Sequence, residues 1–429
     1  MLYPSLLRCT LLGTSLSLLT ACADNHAASQ VDTPTPVVQS ATISLPTAVS
    51  PTSTATFEQP TQSFASWQAA FRQEALSAGI QAAVFDAAFA GVSPDMAVIR
   101  ADRSQPEFTR PVWEYLDSAI SATRVRRGQA LLAEHASTLQ AIEQRYGVDR
   151  HALVAIWGME SNFGQYMGDK SVIAALATLA YEGRRPAFAH EQLLAALRIL
   201  QHGDVQPSRM RGSWAGAMGQ TQFIPSTYNQ FAVDFDGDGR RDIWDSSADA
   251  LASAAHYLQK SGWQSGQPWG VEVTLPSGFD YALADAEIRK PISEWRQLGV
   301  NNIPAADDQA RAVLLLPAGH RGPAFLVLDN FRAILKYNNS TAYGLAIGLL
   351  SGALDSQPGV QAAWPRSDRQ LGRSERIELQ ELLASKGYAP GAADGIIGAN
   401  TRKAVRAFQQ SLGQPADGYP SHELLQQLR

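Results

Sequence analysis

Helical periodicity is the feature that most restricts the fold of this 429-residue chain. Apolar side chains recur every three or four residues in several segments between Phe64 and about Ala363, a spacing that predicts amphipathic helices. Clear examples are "SWQAAFRQEALSAG", "HALVAIWGME", "HEQLLAALRILQHG" and "ADALASAAHYLQKSG". Two later stretches, "GVEVTLPSG" and "RAVLLLPAGHRGPAFLVLD", predict short strands joined by turns. The predicted fold class is therefore α+β, mainly α.

Composition allows a sizeable core and gives no support for nucleic-acid binding. The chain is 45% hydrophobic, with a net charge of -5 and no run rich in Lys or Arg. Nine Trp and twelve Tyr residues provide flat faces on which sugar rings could stack, although most aromatic side chains are core. We expect no nucleic-acid partner.

The N-terminus predicts export. Residues 1–21 contain one basic residue, Arg8, and then an apolar stretch too short to span a bilayer, as in a secretory signal peptide. The ending "LTAC" resembles a bacterial lipobox, which implies cleavage before Cys22, lipid attachment there, and a location at the periplasmic face of the outer membrane. The alternative is ordinary signal-peptide cleavage after the A-x-A-like "ACA" at residues 21–23, giving a soluble periplasmic protein. Since Cys9 leaves with the signal, the mature chain has no pair for a disulfide.

Changes in composition divide the rest of the chain into four segments. Residues 22–63 are rich in Ser, Thr, Pro, Ala and Gln, and they predict a disordered tether. Residues 64–363 hold the helical patterns described above. "WPRSDRQLG", at 364–372, predicts a linker, and residues 373–429 predict a small helical domain.

Glu160 places a carboxylate on an apolar helix face. Leu153, Ile156 and Trp157 recur at helical spacing, and Glu160 continues the same stripe. A charge on such a face is costly unless it is paired or its pKa is raised. Asp149 is a suitable N-cap, so we predict a helix that begins just after it and ends near residue 164.

Two effects are expected to keep Glu160 protonated. It falls in the last turn, where the helix dipole disfavours a negative charge, and Trp157, Met159 and Phe163 make its surroundings dry. A carboxylic acid that stays protonated near neutrality can protonate a leaving-group oxygen. The alternative is a structural glutamate that pairs with an arginine or caps another helix.

A series of motifs carries a family resemblance. "GMESNFGQYMGD" and "GSWAGAMGQTQFIPSTY" occur with "EYLD", "YEGRRPAF", "DFDGDGRRDIWD" and "KYNNSTAYGLAIGLL". Their content and order resemble the lytic murein transglycosylase B family, over roughly residues 64–363. The resemblance implies a lysozyme-like catalytic domain that cuts the glycan strands of peptidoglycan.

The resemblance also implies a mechanism. Glu160 would be the single acid/base that cleaves the bond between N-acetylmuramic acid and N-acetylglucosamine and yields 1,6-anhydro ends without water. A lysozyme-type hydrolase normally needs a second carboxylate, and none stands out, although Asp169 and Glu182 are near in sequence. A lysozyme-like muramidase and a non-catalytic wall-binding lipoprotein are the alternatives.

Further site residues follow from the same resemblance. Those expected to line the cleft or bind the glycan are Tyr115, Arg184, Arg185, Ser213, Gln222, Phe223, Tyr257, Tyr337, Asn338 and Tyr343. Tyr115 and Tyr343 also sit at helical spacing among apolar neighbours, so a core role is the alternative for them. A solvated charged loop is the alternative for the two arginines.

"DFDGDGRRDIWD" fits the pattern of a calcium-binding loop between two helices. The predicted ligands are Asp234, Asp236, Asp238, the Arg240 carbonyl, Asp242 and Asp245. Asp245 stands where a longer glutamate is usual, which makes bidentate coordination less assured. We expect a structural Ca²⁺ and no organic cofactor, and a plain turn loop is the alternative.

The C-terminal segment resembles the small three-helix peptidoglycan-binding module of cell-wall enzymes. The marks are "LQELLASKGYAPGAADGIIG" and "TRKAVRAFQQSLGQPADG". Leu379, Leu382, Val405 and Phe408 are expected to form its core. Its expected role is to raise the local concentration of glycan strands, and a stabilising or protein-docking role is the alternative. The expected partners are peptidoglycan and, through Cys22, the membrane, and the protein is expected to be a monomer.

Overall fold

Helices dominate the computed structural model, which describes residues 62–104, 110–303 and 307–429. Cys22, the predicted signal peptide and all but the end of the predicted tether lie outside these residues. The helices are α1 (Phe64–Ser77), α2 (Ala82–Ala88), α3 (Met96–Arg103), α4 (Val112–Ala119), α5 (Ala122–Glu134), α6 (Ala136–Tyr146), α7 (Arg150–Ser161), α8 (Val172–Glu182), α9 (Pro186–His202), α10 (Pro225–Phe231), α11 (Ser247–Lys260), α12 (Ile292–Gln297), α13 (Asp329–Tyr337), α14 (Thr341–Leu354), α15 (Arg373–Ser385), α16 (Ala399–Ser411) and α17 (His422–Leu428).

Short strands complete the fold, as β1 (Lys170–Ser171), β2 (Arg211–Gly212), β3 (Gly270–Val273), β4 (Lys290–Pro291), β5 (Arg311–Leu315) and β6 (Ala324–Val327). The predicted class, α+β and mainly α, is confirmed. Three of the strands fall in the two stretches whose pattern predicted them. No helix within the described residues is both long and apolar enough to cross a membrane.

The core that carries Glu160 is built around α7. Ala152 to Trp157 are all buried, so this helix is surrounded by protein. It packs on α14, α5, α6 and α11 in one apolar cluster. The Asp149 carboxylate accepts the N–H of Ala152 and caps the helix as predicted. The helix ends at Ser161, earlier than expected, because Asn162 takes a left-handed conformation.

A second apolar cluster is formed around α8 and α9. α8 and α9 form a helical hairpin, and their buried faces meet α1, α2 and α10. The α9 helix begins at Pro186, four residues before the predicted segment, because proline is favoured at a helix start. β1 pairs with β2 and joins the start of α8 to the segment that precedes α10.

The larger sheet is antiparallel, with strand order β3-β6-β5-β4. Leu314 pairs with Leu326 in the β5–β6 hairpin, and Glu272 pairs with Phe325 across β3 and β6. One face covers a cluster that includes Ile292 and Trp295 of α12. The other face packs against α4 and α14. The sheet and α7 therefore both pack against α14.

The C-terminal helices α15, α16 and α17 share a small core of their own. Leu379, Val405 and Phe408 are buried as predicted, but Leu382 is only partly buried and Leu383 is fully buried in its place. Helical geometry explains this correction, because adjacent residues lie about 100° apart around the axis.

Both Ala-Asp-Gly turns of this domain are held by a glutamine in the same way. The Gln380 side-chain oxygen accepts the N–H of Gly395 at 2.8 Å, and that of Gln409 accepts the N–H of Gly418 at 2.9 Å. The same hydrogen bond, from a glycine N–H to a glutamine side-chain oxygen, therefore occurs twice in this domain.

Polar contacts attach this domain to the rest of the chain. Asp417 accepts the backbone N–H of His320 at 2.8 Å, and its carboxylate pairs with the imidazole of the same residue at 2.6 Å. Arg406 pairs with Asp285 in a nearly buried ion pair. Arg366, in the predicted linker, forms two hydrogen bonds to Asp117 of α4.

Candidate functional site

Glu160 lies one residue before the end of α7, at the edge of the apolar core. Its carboxyl is enclosed by protein, although the residue as a whole is only half-buried. The hydroxyl of Tyr343, on α14, donates a hydrogen bond to Glu160 Oε1 at 2.5 Å. Within the described ranges, no lysine or arginine forms an ion pair with this carboxylate, so the predicted alternative of an arginine-paired structural glutamate is not supported.

The electrostatics of Glu160 follow from this enclosure. Burial raises the pKa of Glu160 to about 7, and the hydrogen bond from Tyr343 opposes the rise. The upward direction predicted from the dry neighbours is confirmed. Near neutral pH the group therefore exists in both protonation states, which is the property required of one residue that gives and then takes a proton.

Three tyrosines lie close enough to Glu160 for its negative charge to raise their pKa values. Burial and then the charge of Glu160 raise the pKa of Tyr115 to about 12. The same two causes raise the pKa of Tyr337 and Tyr343 well above the usual value. Tyr343 is 2% exposed, so it is a core side chain that also touches Glu160. The predicted cleft role of Tyr343 and its alternative role in the core are therefore compatible.

An aromatic group continues from Tyr337 towards α10. Tyr337 lies 5.8 Å from Phe223 and 5.2 Å from Tyr257, measured between ring centroids. Its hydroxyl donates to the carbonyl of Thr221 at 2.8 Å. Tyr257 donates to the carbonyl of Lys336 at 2.5 Å. The structure thus brings Phe223, Tyr257 and Tyr337 together, as predicted. The hydroxyl groups of the two tyrosines donate hydrogen bonds to backbone carbonyls.

Ser213 and Gln222 shape the Gly-rich segment between β2 and α10. The Ser213 hydroxyl oxygen accepts the N–H of Ala217 at 3.0 Å, which closes a tight loop. The Gln222 amide donates to the carbonyls of Met167 at 3.1 Å and Gly219 at 2.9 Å. Its φ of 53° is unusual for a residue with a side chain, and such strained backbone is often found at functional sites.

Arg184 and Arg185 make contacts away from Glu160. The backbone N–H of Arg184 donates to Asp102 at 2.9 Å, and its guanidinium lies 3.5 Å from the same carboxylate. The guanidinium of Arg185 lies 5.8 Å from the ring centroid of Phe188. Both arginines are exposed.

Asn338 is 8% exposed and directly follows Tyr337 at the end of α13.

Gln220, which the sequence analysis did not single out, holds the end of α7. Its side-chain oxygen accepts the indole N–H of Trp157 at 2.9 Å, and its amide donates to the carbonyl of Trp244 at 3.1 Å. Its own carbonyl accepts the hydroxyl of Ser161 at 2.8 Å. The sequence feature that could have pointed to Gln220 is its position within the "GAMGQTQF" motif.

Gly158 makes room for the turn that follows Glu160. A β-carbon at this position would lie 2.7 Å from the ring of Phe163, which is buried and makes an edge contact with Trp157 at 5.8 Å. Asn162, Phe163 and Gly164 all have positive φ, at 49°, 60° and 79°. The chain is therefore turned sharply just after the glutamate, and packing of Phe163 stabilises that turn.

The acidic loop predicted to bind calcium places some of its carboxylates together. One oxygen each of Asp234, Asp236 and Asp249 lies within 4.8 Å of the others. Asp249, on α11, was not among the predicted ligands because it lies beyond the usual loop pattern. Asp238 pairs with Arg240 at 2.8 Å, and the carboxylate of Asp245 pairs with Arg209.

The Asp242 carboxylate accepts the N–H groups of Trp244 and Asp245, both at 2.9 Å. The converging oxygens of the loop are the hard donors that Ca²⁺ prefers, so the residues present fit such an ion. Asp238 and Asp245, two of the predicted ligands, are each engaged by an arginine. The predicted ligand set stays a prediction.

Comparisons with known proteins find two matching domain models. The transglycosylase SLT domain model matches residues 63–352, and a peptidoglycan binding domain model matches residues 372–428. Membrane-bound lytic murein transglycosylase B of Escherichia coli (strain K12) is 33% identical over 247 residues, which cover 56% of this chain and 66% of that protein. The chain thus aligns with just under two thirds of that relative.

Two solved structures are also similar. SltB3 from Pseudomonas aeruginosa, in complex with NAG-anhNAM-pentapeptide, has a TM-score of 0.84 and 65% identity, covering 86% of this chain and 100% of that one. Escherichia coli Slt35, in complex with calcium, has a TM-score of 0.58 and 30% identity, covering 67% of this chain and 92% of that one. The resemblance seen in the sequence is confirmed, and the chain belongs to the transglycosylase SLT domain family.

Proposed function

We propose that this chain is a peptidoglycan lytic transglycosylase that cleaves the β-1,4 bond between N-acetylmuramic acid and N-acetylglucosamine, with Glu160 as its single acid/base. The enclosed carboxyl of Glu160, with a pKa of about 7 and a hydrogen bond from Tyr343, carries the proposal. Such a group is suited to protonate a leaving-group oxygen and to accept a proton afterwards.

One carboxyl group suffices because the substrate supplies the nucleophile. Glu160 gives its proton to the glycosidic oxygen as the bond between that oxygen and C1 of muramic acid breaks, and N-acetylglucosamine leaves as an alcohol. The C6 oxygen of the same muramic acid then bonds to C1, and its hydroxyl proton passes to the Glu160 carboxylate. The product is a 1,6-anhydro end, and the enzyme regains its initial protonation state.

The predicted cleft residues have separate roles in this proposal. The aromatic group of Phe223, Tyr257 and Tyr337 forms an apolar wall on which sugar faces pack. Ser213, Gln222 and Asn338 provide hydrogen bonds to N-acetyl and hydroxyl groups. Tyr115 and Tyr343 surround the carboxyl and keep it in a dry environment. Arg184 and Arg185, both exposed, receive carboxylates of the lactyl group or stem peptide.

A muramidase would require a second carboxylate across the cleft. Glu182, one of the two nearby acids, forms an ion pair with Arg103 at 3.1 Å, and Asp169 is exposed. Glu182 is thus already engaged by an arginine and Asp169 is a surface residue, so we favour the transglycosylase reaction, which needs only one carboxyl group. The non-catalytic alternative is disfavoured because the carboxyl and its tyrosine partner are both present.

Digestion of purified peptidoglycan separates the three functions. The mature protein, Glu160→Gln and the control Asp169→Asn are each incubated with peptidoglycan, and the soluble fragments are weighed by mass spectrometry. We expect anhydro ends, one water lighter than hydrolysis products, from the mature protein and the control, and none from Glu160→Gln. Reducing ends, or loss of activity in Asp169→Asn, would indicate a muramidase. No cleavage by the mature protein would leave a wall-binding role.

The proposed domain arrangement serves this reaction. A signal peptide at 1–21, a tether at 22–63, a catalytic domain at 64–363, a linker at 364–372 and a peptidoglycan-binding domain at 373–429 keep a monomeric enzyme close to its polymer. Lipid on Cys22 anchors it at the periplasmic face of the outer membrane. Cys22→Ala should move the protein from the membrane fraction to the soluble periplasm, and an unchanged distribution would exclude the anchor.

A structural Ca²⁺ in the acidic loop completes the proposal. Asp234 and Asp236 would hold it together with Asp249, and the ion would neutralise carboxylates that otherwise repel one another. Asp238, Asp242, Asp245 and the Arg240 carbonyl complete the predicted set. Titration of the metal-free protein with Ca²⁺, followed by calorimetry, should give one binding event that Asp234→Asn abolishes.

A further inference from the structure

A short segment after the catalytic helix, residues 162–168, forms what we call the strap. Several contacts pin it. The Ser161 hydroxyl accepts the N–H of Gly164 at 2.9 Å, and the Ser161 carbonyl accepts the N–H of Tyr166 at 2.8 Å. At the other end, Gln222 donates to the carbonyl of Met167. The backbone of the strap is therefore held on both sides of Tyr166.

The strap also lies directly against the Gly-rich segment. A β-carbon on Gly168 would lie 2.1 Å from the carbonyl oxygen of Gly212 and 2.6 Å from the nitrogen of Ser213. A glycine at position 168 therefore allows the two backbones to approach this closely. The strap thus runs from the end of the Glu160 helix to the segment that carries Ser213 and Gln222.

Tyr166 is exposed despite this rigid backbone. Its side chain is 50% exposed, and it is the only aromatic among the strongly exposed large hydrophobic residues in the described part of the chain. No hydrogen bond or ring contact joins its side chain to any residue that the structure describes. A single exposed apolar residue is ordinary by itself, but the backbone of this one is hydrogen-bonded to Ser161, the residue that directly follows Glu160.

The strap has no charged group, since its sequence is "NFGQYMG". A ligand carboxylate or ammonium would find no ion pair on it. The chemistry that fits is a neutral ring with an apolar face and polar edges, which describes an N-acetylated sugar better than the charged stem peptide. A tyrosine ring offers a matching apolar face at low cost in conformational entropy.

We infer that Tyr166 is a stacking platform for a glycan ring adjacent to the sugar held at Glu160. The inference rests on the proposed function, and it adds a binding residue that extends the cleft along the strand. Tyr166 binds substrate and takes no part in proton transfer. Its loss should therefore weaken binding of long strands and leave the chemical step intact.

The test uses the mature chain with Glu160→Gln, so that ligands are bound but not cleaved. Calorimetry with N-acetylglucosamine tetramer and hexamer, and with glycan strands stripped of peptides, is carried out on this parent and on Tyr166→Ala and Tyr166→Phe. The matched control is Met96→Ala, because Met96 is 53% exposed on α3. Thermal unfolding of each variant verifies that the fold is unchanged.

We expect Tyr166→Ala to weaken binding of the longest ligands by about tenfold, the equivalent of losing one aromatic contact. Tyr166→Phe and the control should bind within about twofold of the parent, because a phenylalanine ring still stacks. In the active background, Tyr166→Ala should raise KM for peptidoglycan and leave kcat unchanged.

Two results would overturn the inference. Equal binding by Tyr166→Ala would remove the platform, and equally weak binding by Tyr166→Ala and Tyr166→Phe would assign the effect to the hydroxyl. If the parent bound no glycan and the active protein cleaved no peptidoglycan, the proposed function itself would fail. Normal cleavage together with an unaffected Tyr166→Ala would contradict only the platform.

Discussion

Glu160→Gln is expected to make the protein more stable, by an amount that depends on pH. Burial raises the pKa of Glu160 from 4.5 to about 7 in the folded chain. The folded state therefore binds a proton more tightly than the unfolded state does, so ionisation of this group opposes folding. Glutamine keeps the shape and can still accept the hydrogen bond from Tyr343, but it cannot ionise.

The sign and size follow from linkage. Below pH 4.5 the carboxyl is protonated in both states, and the substitution should change stability little. As pH rises from 4.5 to about 7, the unfolded state loses its proton first and the wild-type protein becomes progressively less stable than the variant. Above both values the difference approaches about 3 kcal/mol as an upper bound, since one pKa unit corresponds to about 1.4 kcal/mol.

Thermal unfolding by calorimetry or circular dichroism at pH 4.5, 6 and 8 measures this difference. For a cooperative unit of about 300 residues, 3 kcal/mol corresponds to a rise in Tm of roughly 5 °C. The matched control is Glu191→Gln, because Glu191 is exposed on α9 and forms no ion pair within the described residues. Its Tm difference should not grow with pH.

Two patterns would refute this reasoning. A stability gain of the same size at all three pH values would indicate better packing rather than relief of a buried charge. A Glu160→Gln variant less stable than the wild type at pH 8 would mean that the ionised carboxylate is well stabilised in the fold, and the acid role proposed for Glu160 would lose its electrostatic basis.

Three other changes test separate parts of the structure. Tyr343→Phe removes the hydrogen bond that lowers the pKa of Glu160, so the alkaline limb of the kcat/KM profile should shift to higher pH; an unshifted limb would contradict the contact. Gly158→Ala drives a methyl group into the ring of Phe163 and should lower the free energy of unfolding by about 1–3 kcal/mol in denaturant titrations. Gly359→Ala, at a site with open space, is its control and should be nearly neutral. Chelation of calcium should lower Tm, because an ion that binds only the folded state stabilises it by about 2.7 kcal/mol at a hundred times its Kd; an unchanged Tm would argue for an ion-free loop.

Local patterns in the sequence predicted much of the helical structure. The helix that carries Glu160 was located from three apolar positions and the Asp149 cap, and the structure begins it at Arg150. Such features depend on residues three or four positions apart, so they are readable without knowledge of the fold. The exact helix end was less predictable, because it depends on how Phe163 packs.

Contacts between distant residues could not be read in this way. Tyr343 is 183 positions from Glu160, and only the packing of α14 on α7 brings its hydroxyl to the carboxylate. Gln220 was missed for the same reason, and Asp249, which lies beyond the usual loop pattern, is brought to the loop by its hydrogen bonds to Phe235 and Asp242. Gln220 faces a buried polar partner that is determined by the arrangement of whole elements, whereas its sequence neighbours give no sign of that partner.

The sequence by itself therefore determined the mainly helical fold class, the carboxylate on an apolar helix face and the family to which the chain belongs. The tertiary structure decided which tyrosine holds that carboxylate, how far its pKa rises and how the strap after α7 meets the Gly-rich segment. The physical reason is that helical periodicity and capping are local, while desolvation and hydrogen-bond partners depend on every element that packs around a group.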